Sequence, residues 1–506
     1  MVKRKIDELA EKSAVNGKVS AKTQEKSLPP AEKKSKTSNT KAKPSDSAVK
    51  STFEPSSIQI IVGSYERVLH GSVVTLHPKN ISKPRNTGES DNENATFTDT
   101  FLFSAHSSSL RSLAVSQSSE SHKRILATGG SDERINLYNI SSIPPQLSRG
   151  PKQPTLSRTS VLENPKNREL GSLLHHARAV TKVQFPTRGK LFSAAEDNTI
   201  AISRVRDWTV LSTIKVPIPK PVGRPSGDTA AAGEVPAGVN DFAVHPSMKL
   251  MVSVGRGEKS MRLWNLVTGK KAGVLAFDRD LLIQVAEGKY SSGEGRRVLW
   301  TDCGEDFIVG FERGAAIFGM DCKPKAVIRP TPPTKIHQIR ILPSDFLSGT
   351  EDVVALSTED GRIIFYAIND ASSLLDATDS NYAVCKPFAQ LGGAEAGIPG
   401  RVKDFEVLSL PSASPDSKTL AFAAASSDGA VRIWTLDSAS LQAAKDAQKA
   451  ESAAVQVGDL AATLETGNRI TCLAAFVMDE PGEDDGDEDG EEAFGGFSDD
   501  DGSDDE

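Results

Sequence analysis

The chain has 506 residues, 38% hydrophobic and 25% charged, enough apolar material for a large core, yet no stretch approaches the roughly 20 apolar residues a membrane span needs. Its net charge of −7 hides an asymmetry: residues 1–50 hold 13 Lys/Arg against 6 Asp/Glu, and residues 479–506 hold 16 acidic residues and no basic one. A near-neutral body between a basic arm and an acidic tail is therefore expected, with no membrane partner.

Residues 1–55 are rich in Lys, Ser, Thr, Ala and Pro and poor in aromatics, so they bury too little apolar surface to offset ordering entropy and read as a disordered basic arm. The charge from Lys3 onward leaves no apolar core for a signal peptide. Cys303, Cys322, Cys385 and Cys472 are far apart without C-x-x-C spacing. Buried, reduced thiols in a soluble intracellular protein are the expectation, with no zinc site.

From Ile58 onward one pattern recurs: a small-residue pair, an acidic turn and an alternating run. It is seen in Thr128–Tyr138, Ala194–Ser203, Val254–Trp264, Ser357–Tyr366 and Ser426–Trp434. A weaker copy surrounds Glu312 in Arg297–Ile328, and Ile60–His70 carries the same hairpin around Glu66 without its first half. The missing half matches Arg469–Phe476 at the far end. Six units and one composite unit predict an all-β, seven-bladed propeller closed by both termini, over residues 56–478. Long polar insertions are expected at 79–99, 141–169, 216–238, 370–400 and 438–466, the last beginning in an Ala-rich helix. Residues 479–506 complete the chain as a disordered acidic tail.

The acidic turn residues Asp132, Asp197, Asp360 and Asp428 suit tight hairpins, because such side chains accept local backbone N–H bonds. Six residues after the turn acid stand Tyr138, Trp264, Tyr366 and Trp434, while Ser203 takes that place in the second unit. His106 and His176 each stand four residues before the first apolar strand position, and the third, fifth and sixth units lack this His. These spacings resemble the WD40 repeat, in which a loop His, a strand Ser/Thr, a turn Asp and a Trp form a hydrogen-bonded network.

A more specific resemblance is carried by Ile61–Gly71, Phe103–His106, Leu126–Ile135, Leu174–Thr181, Ala195–Ile200 with Trp208, and Val244–Leu250 leading to Arg262–Lys270. This succession looks like the fungal maintenance-of-killer WD40 protein and its animal relative, the p21-activated-kinase-interacting WD40 protein. The resemblance implies a non-catalytic, nuclear and nucleolar assembly factor for the large (60S) ribosomal subunit. Its implied partners are pre-60S ribosomal proteins or ribosomal-like assembly factors. Binding and inhibition of p21-activated kinase is the alternative it implies.

No cofactor or catalytic centre is expected. His175–His176 has no third ligand at metal spacing, and Gly392–Gly400 lacks the Gly-Lys-Ser/Thr of a phosphate loop. The basic clusters Lys3, Arg4, Lys5 and Lys33, Lys34, Lys36 are candidates for nuclear import or rRNA phosphate contact. Ser498 and Ser503, each before Asp-Asp, are candidate sites for an acidophilic kinase. On the propeller's narrow face, Arg178, Asn198, Lys259, Arg362 and Arg401 are the candidate interaction residues.

Overall fold

A computed structural model describes residues 55–77, 95–119, 121–145, 161–219, 237–288, 291–347, 352–368, 374–375, 382–396, 398, 400–411, 418–447 and 454–480. All belong to the unit Lys50–Glu506. The basic clusters at Lys3–Lys5 and Lys33–Lys36, and Ser498 and Ser503, lie outside the described residues.

Near-continuous runs of β-branched and other apolar residues give strands two apolar faces, and such strands are stable only with a layer on each side. The chain meets that need with seven antiparallel sheets, each built on four strands. Blade 1 is composite: Ser56–Ser64, Val68–Leu76 and Ala95–Ser104 come from the start of the described chain, and Ile470–Val477 from its end. Register joins them directly, with Ile60 opposite Ala475 and Val62 opposite Leu473. The inner strands of blades 2 to 7 are Leu110–Val115, Val180–Thr187, Val239–Val244, Arg297–Trp300, Ile336–Ile341 and Val402–Ser409. Each touches the next, and Ile470–Val477 touches both Val402–Ser409 and Leu110–Val115. The ring is closed, which removes the inner edges.

Packing follows the period of two. Ile58, Ile60 and Val62 lie against Ala421, Ala423 and Ala425 of blade 7, whereas Ile61, on the other face, packs with Leu110 and Leu126 of blade 2. Close approach demands glycine at Gly63, where an added Cβ would fall 2.7 Å from Cys472 Sγ and 3.0 Å from Leu110.

The segments 79–99, 141–169, 370–400 and 438–466, read above as insertions, contain strands. Ala95–Ser104, Arg168–Leu173 (from its first residues), Pro387–Gly392 and Asp459–Glu465 are the outer strands of blades 1, 2, 6 and 7. Their residues are largely half-buried or exposed in blades 1 and 2, so the apolar alternation is weak. A long excursion also separates each from its hairpin. Further short strands cover outer edges: Ala383–Cys385 runs parallel to Pro324–Ile328 of blade 5, and Val455–Gln456 parallel to Pro387–Gly392. The Ala-rich segment forms a helix over Ser438–Ala447, with Leu441 and Ala444 buried in the core cluster shared by blades 6 and 7. The cysteines depart in part from expectation. All four are free, and Cys385 and Cys472 are buried, but Cys303 is exposed because it lies in the short turn between Arg297–Trp300 and Asp306–Gly310.

Candidate functional site

In six blades the amide at or beside the acidic turn donates to a carbonyl at the start of the inner strand. These pairs are Tyr65 with Arg469, Ser131 with Ser109, Glu196 with Ala179, Arg256 with Gly238, Glu359 with Lys335, and Ser427 with Arg401. The hairpin turns and the beginnings of the inner strands therefore share one face, around the mouth of the central channel. The inner strands end on the opposite face.

Of the sequence-derived network residues, the His and turn Asp residues sit at this turn-bearing end, while Tyr138, Trp264, Tyr366 and Trp434 are buried within the blades. His106 Nδ1 lies 2.8 Å from Asp132 Oδ1 and its Nε2 2.8 Å from Thr128 Oγ1. In blade 3, His176 Nδ1 lies 3.2 Å from Asp197 Oδ2 and its Nε2 2.8 Å from Ser193 Oγ. Trp264 Nε1 donates to Ser253 Oγ at 2.8 Å. Tyr138 lies near the blade 1 edge, its ring 5.5 Å from that of Phe103. The buried Tyr366 hydroxyl and Trp434 Nε1 have no hydrogen-bond partner among the described residues.

Where the loop His is missing, an arginine on the hairpin takes over the turn acid. Arg262 Nη2 donates to Glu258 Oε1 at 2.6 Å, Arg362 Nη2 to Asp360 Oδ2 at 2.6 Å, and Arg432 Nη2 to Asp428 Oδ2 at 3.1 Å. Burial works to raise the Asp132, Asp360 and Asp428 carboxyls, but their hydrogen bonds prevail and hold each below the usual range.

The five candidate interaction residues divide. Arg178 and Lys259 are exposed, and Arg401 is exposed with an ion pair to Glu359 at 3.1 Å. Asn198 is instead buried, at a φ of 59°, with its Oδ1 accepting from the Gly238 amide at 2.7 Å. The backbone needs that side chain, so it is a structural residue. Arg362 is likewise committed, to Asp360, Gln390 and the Thr331 carbonyl.

A second set of residues was not singled out by sequence. Inside the turn-bearing rim, equivalent inner-strand positions carry Thr471, Thr181, Asn240 and Arg297. Each donates to a carbonyl of the next blade: Leu110 at 2.8 Å, Val239 at 2.7 Å, Gly295 at 2.9 Å and His337 at 3.0 Å. His337 and Lys403 follow, with Lys403 Nζ 3.5 Å from His337 Nε2. Burial, then Lys403, Arg297, Arg401 and Arg296, push His337 down to about 3. Burial and then Arg401 also lower Lys403, with Glu359 opposing. Aligning the starts of the inner strands would have found these residues, but they alternate with buried positions and form no cluster along the chain.

Deeper in the channel, Asp241 and Asp404 bind inner strands together. Asp241 Oδ2 accepts from the Val298 amide at 3.0 Å, and Asp404 Oδ2 accepts from the Leu473 amide at 3.1 Å. Among the described residues no group of three His, Cys, Asp or Glu could hold a metal. No described helix is long and apolar enough to cross a membrane.

A model of the WD domain, G-beta repeat, matches residues 97–139. That span runs from an outer strand through the first three strands of the next blade, and it contains His106, Thr128 and Asp132. Similarity extends much further. A p21-activated protein kinase-interacting protein 1-like protein of Xenopus laevis is 25% identical over 421 residues, 83% of this chain and 82% of the relative. Protein MAK11 of Saccharomyces cerevisiae is 25% identical over 373 residues, 69% of this chain and 72% of the relative. The chain is similar to this WD40 family along most of its length. Shk1 kinase-binding protein 15 of Schizosaccharomyces pombe is a further relative, 22% identical over 309 residues, 61% of this chain and 68% of that protein. A WD40 propeller is typically a non-catalytic scaffold, and here both ring nitrogens of His106 and His176 face groups of their own blades.

The site's histidines set a pH dependence. His175 is pushed down to about 4 by burial and then His176, with Asp197 opposing, and His337 to about 3. Unfolded histidine titrates near 6.5, so as pH falls the unfolded chain takes up protons that the folded chain refuses. Stability is expected to hold above about 6.5 and to decline towards pH 4, with a limiting slope of about 1.4 kcal/mol per pH unit for each such His. Urea midpoints measured against pH check this: His337→Gln should flatten the decline, and an unchanged profile would refute the assignment.

Proposed function

We propose that the protein is a non-catalytic scaffold acting in assembly of the large (60S) ribosomal subunit, docking on pre-60S particles in the nucleolus. The observation that carries this reading is the similarity to the maintenance-of-killer relative over 69% of this chain, for whose group the resemblance implies nucleolar 60S assembly. The closed ring supports it by supplying a rigid frame, and the insertions and charged extensions supply the features on which partners can be distinguished. Pre-60S ribosomal proteins or ribosomal-like assembly factors are the proposed protein partners. The basic arm is the proposed import signal or rRNA contact, and the acidic tail a polyanion for basic partners, charged further by phosphorylation at Ser498 and Ser503.

A second reading comes from relatives named as p21-activated kinase-interacting or Shk1 kinase-binding: this chain occupies and restrains a p21-activated kinase. Affinity purification followed by sucrose-gradient sedimentation separates the two. Under the first, the protein sediments with particles containing 27S pre-rRNA. Recovery at the top of the gradient with a kinase, and no pre-rRNA, would replace it by the second.

A further inference from the structure

The charge around the channel mouth is unevenly placed. Over blades 2 to 4 it balances locally, since Arg111 and Arg256 share Glu196 at 2.6 and 3.1 Å. Over blades 5, 6, 7 and 1 it does not. Arg296, Arg297, Lys335, Arg401, Lys403 and Arg469 converge there from strands far apart in sequence. Glu312 answers Arg296 and Lys335, and Glu359 answers Arg401. Glu66 accepts the Arg469 amide at 3.0 Å. Arg297 and Lys403, half-buried at the lip, form no ion pair among the described residues. A neutral His337 lies between them, with Arg297 Nε on its carbonyl and Lys403 Nζ beside its ring. Like charges gathered at a partly desolvated lip raise the energy of the empty site, and a bound anion lowers it.

The kind of anion is indicated at the rim. Tyr65 is 61% exposed, and the Arg469 guanidinium stands 5.8 Å from its ring centroid. Arg469 in turn acts on Lys403, so it links the exposed Tyr65 ring to the lip cations. A carboxylate-bearing peptide has no need of that face, whereas a nucleobase stacks on it while its backbone phosphates meet the cations. The chain's own acidic tail leaves from the other face: Asp479 is held there by His122 Nδ1 at 2.9 Å and Ser118 Oγ at 3.3 Å.

We propose that this mouth is a single-stranded RNA site, seating phosphate against Arg297, Lys403 and Arg401 and stacking a base on Tyr65. It deepens the pre-60S reading, on which it rests for the RNA's source, by naming a ligand and its place on the ring.

The test uses the full chain and a fluorescent oligouridylate, with affinity followed by anisotropy over a range of salt. Arg401→Gln with Lys403→Gln is expected to weaken binding tenfold or more and to reduce the slope of log affinity against log salt by about 1.4, roughly 0.7 per lost phosphate contact. Tyr65→Ala is expected to weaken it by about fivefold to a hundredfold with the slope unchanged, the signature of lost stacking. Ultraviolet cross-linking should place an adduct on the peptide containing Tyr65. Affinities untouched by either change, with adducts confined to the basic arm, overturn the proposal. So does competition by polyglutamate as strong as that by RNA together with a neutral Tyr65→Ala, which makes the mouth an acidic-peptide site. Failure here with wild-type protein still sedimenting with pre-rRNA removes the RNA site alone. Oligouridylate binding as expected, with no protein on the particles, removes the pre-60S reading alone.

Discussion

Truncation after Thr466 is expected to abolish the folded ring. The change removes Ile470–Val477, the inner strand of blade 1, and with it the ladder from Ile58 to Ser64. Ile470, Leu473 and Phe476 are each nearly inaccessible to solvent, and burying such side chains is worth about 1.5–3 kcal/mol apiece. Set against a typical domain stability of about 5–15 kcal/mol, the loss takes most of what holds the ring. It also exposes inner edges on Ser56–Ser64 and, between blades 7 and 2, a gap in the channel wall. Size-exclusion chromatography with circular dichroism checks this: aggregation, or loss of a cooperative urea transition, is the expected result. A truncated chain that stays monomeric and keeps its transition would show that the composite blade is dispensable.

Asp404→Ala is expected to cost about 3–5 kcal/mol, the largest effect of a single side chain. Asp404 accepts from Gln338 Nε2 at 2.9 Å, Arg340 Nη2 at 3.5 Å, its own blade's Phe405 amide at 3.0 Å and the Leu473 amide at 3.1 Å. One carboxylate thus joins the inner strands of blades 6, 7 and 1, across the closure itself. Alanine leaves the buried donors unanswered and Arg340 with Glu406, at 2.7 Å, as its remaining ion-pair partner among the described residues, and removing one partner from such a buried network carries a penalty of that order. Asp404→Asn keeps an acceptor and should cost less. Urea midpoints give the magnitude, and hydrogen exchange should show the Leu473 amide losing protection in the alanine variant. A shift below about 1 kcal/mol would mean that water replaces the carboxylate without loss.

The ring was legible in sequence where burial is complete. Strands such as Thr419–Ser426 and Val353–Thr358 are buried along their whole length, so their apolar runs and the acidic turns after them stand out. The matching half-units at Ile60–His70 and Arg469–Phe476 likewise revealed the composite blade. Outer strands were lost to view because half-exposed residues such as Arg168 and Glu169 in Arg168–Leu173 carry no strong period, and long excursions hide their order. The turn acids were visible as turn residues, and His106 and His176 as loop residues of the same network, yet the arginine partners were not singled out: Arg262 and Arg432 lie on the strand after the turn, where an arginine looks alike whether it meets solvent or a turn acid. Arg362 and Asn198 were misplaced on the interaction surface for the same reason, since a polar residue beside a turn looks alike whether it meets solvent or backbone. The cationic mouth was hidden most fully, because Arg297, Lys403 and Arg469 meet only when the ring closes.

The most direct measurement is sucrose-gradient sedimentation of the tagged wild-type chain beside the Arg401→Gln, Lys403→Gln variant, with circular dichroism confirming that both are folded. The expected result is wild-type protein in the fractions holding 27S pre-rRNA and the variant displaced towards the top. Wild-type protein at the top with a bound kinase, and no pre-rRNA, would contradict the proposed role of this propeller as a docking platform in large-subunit assembly.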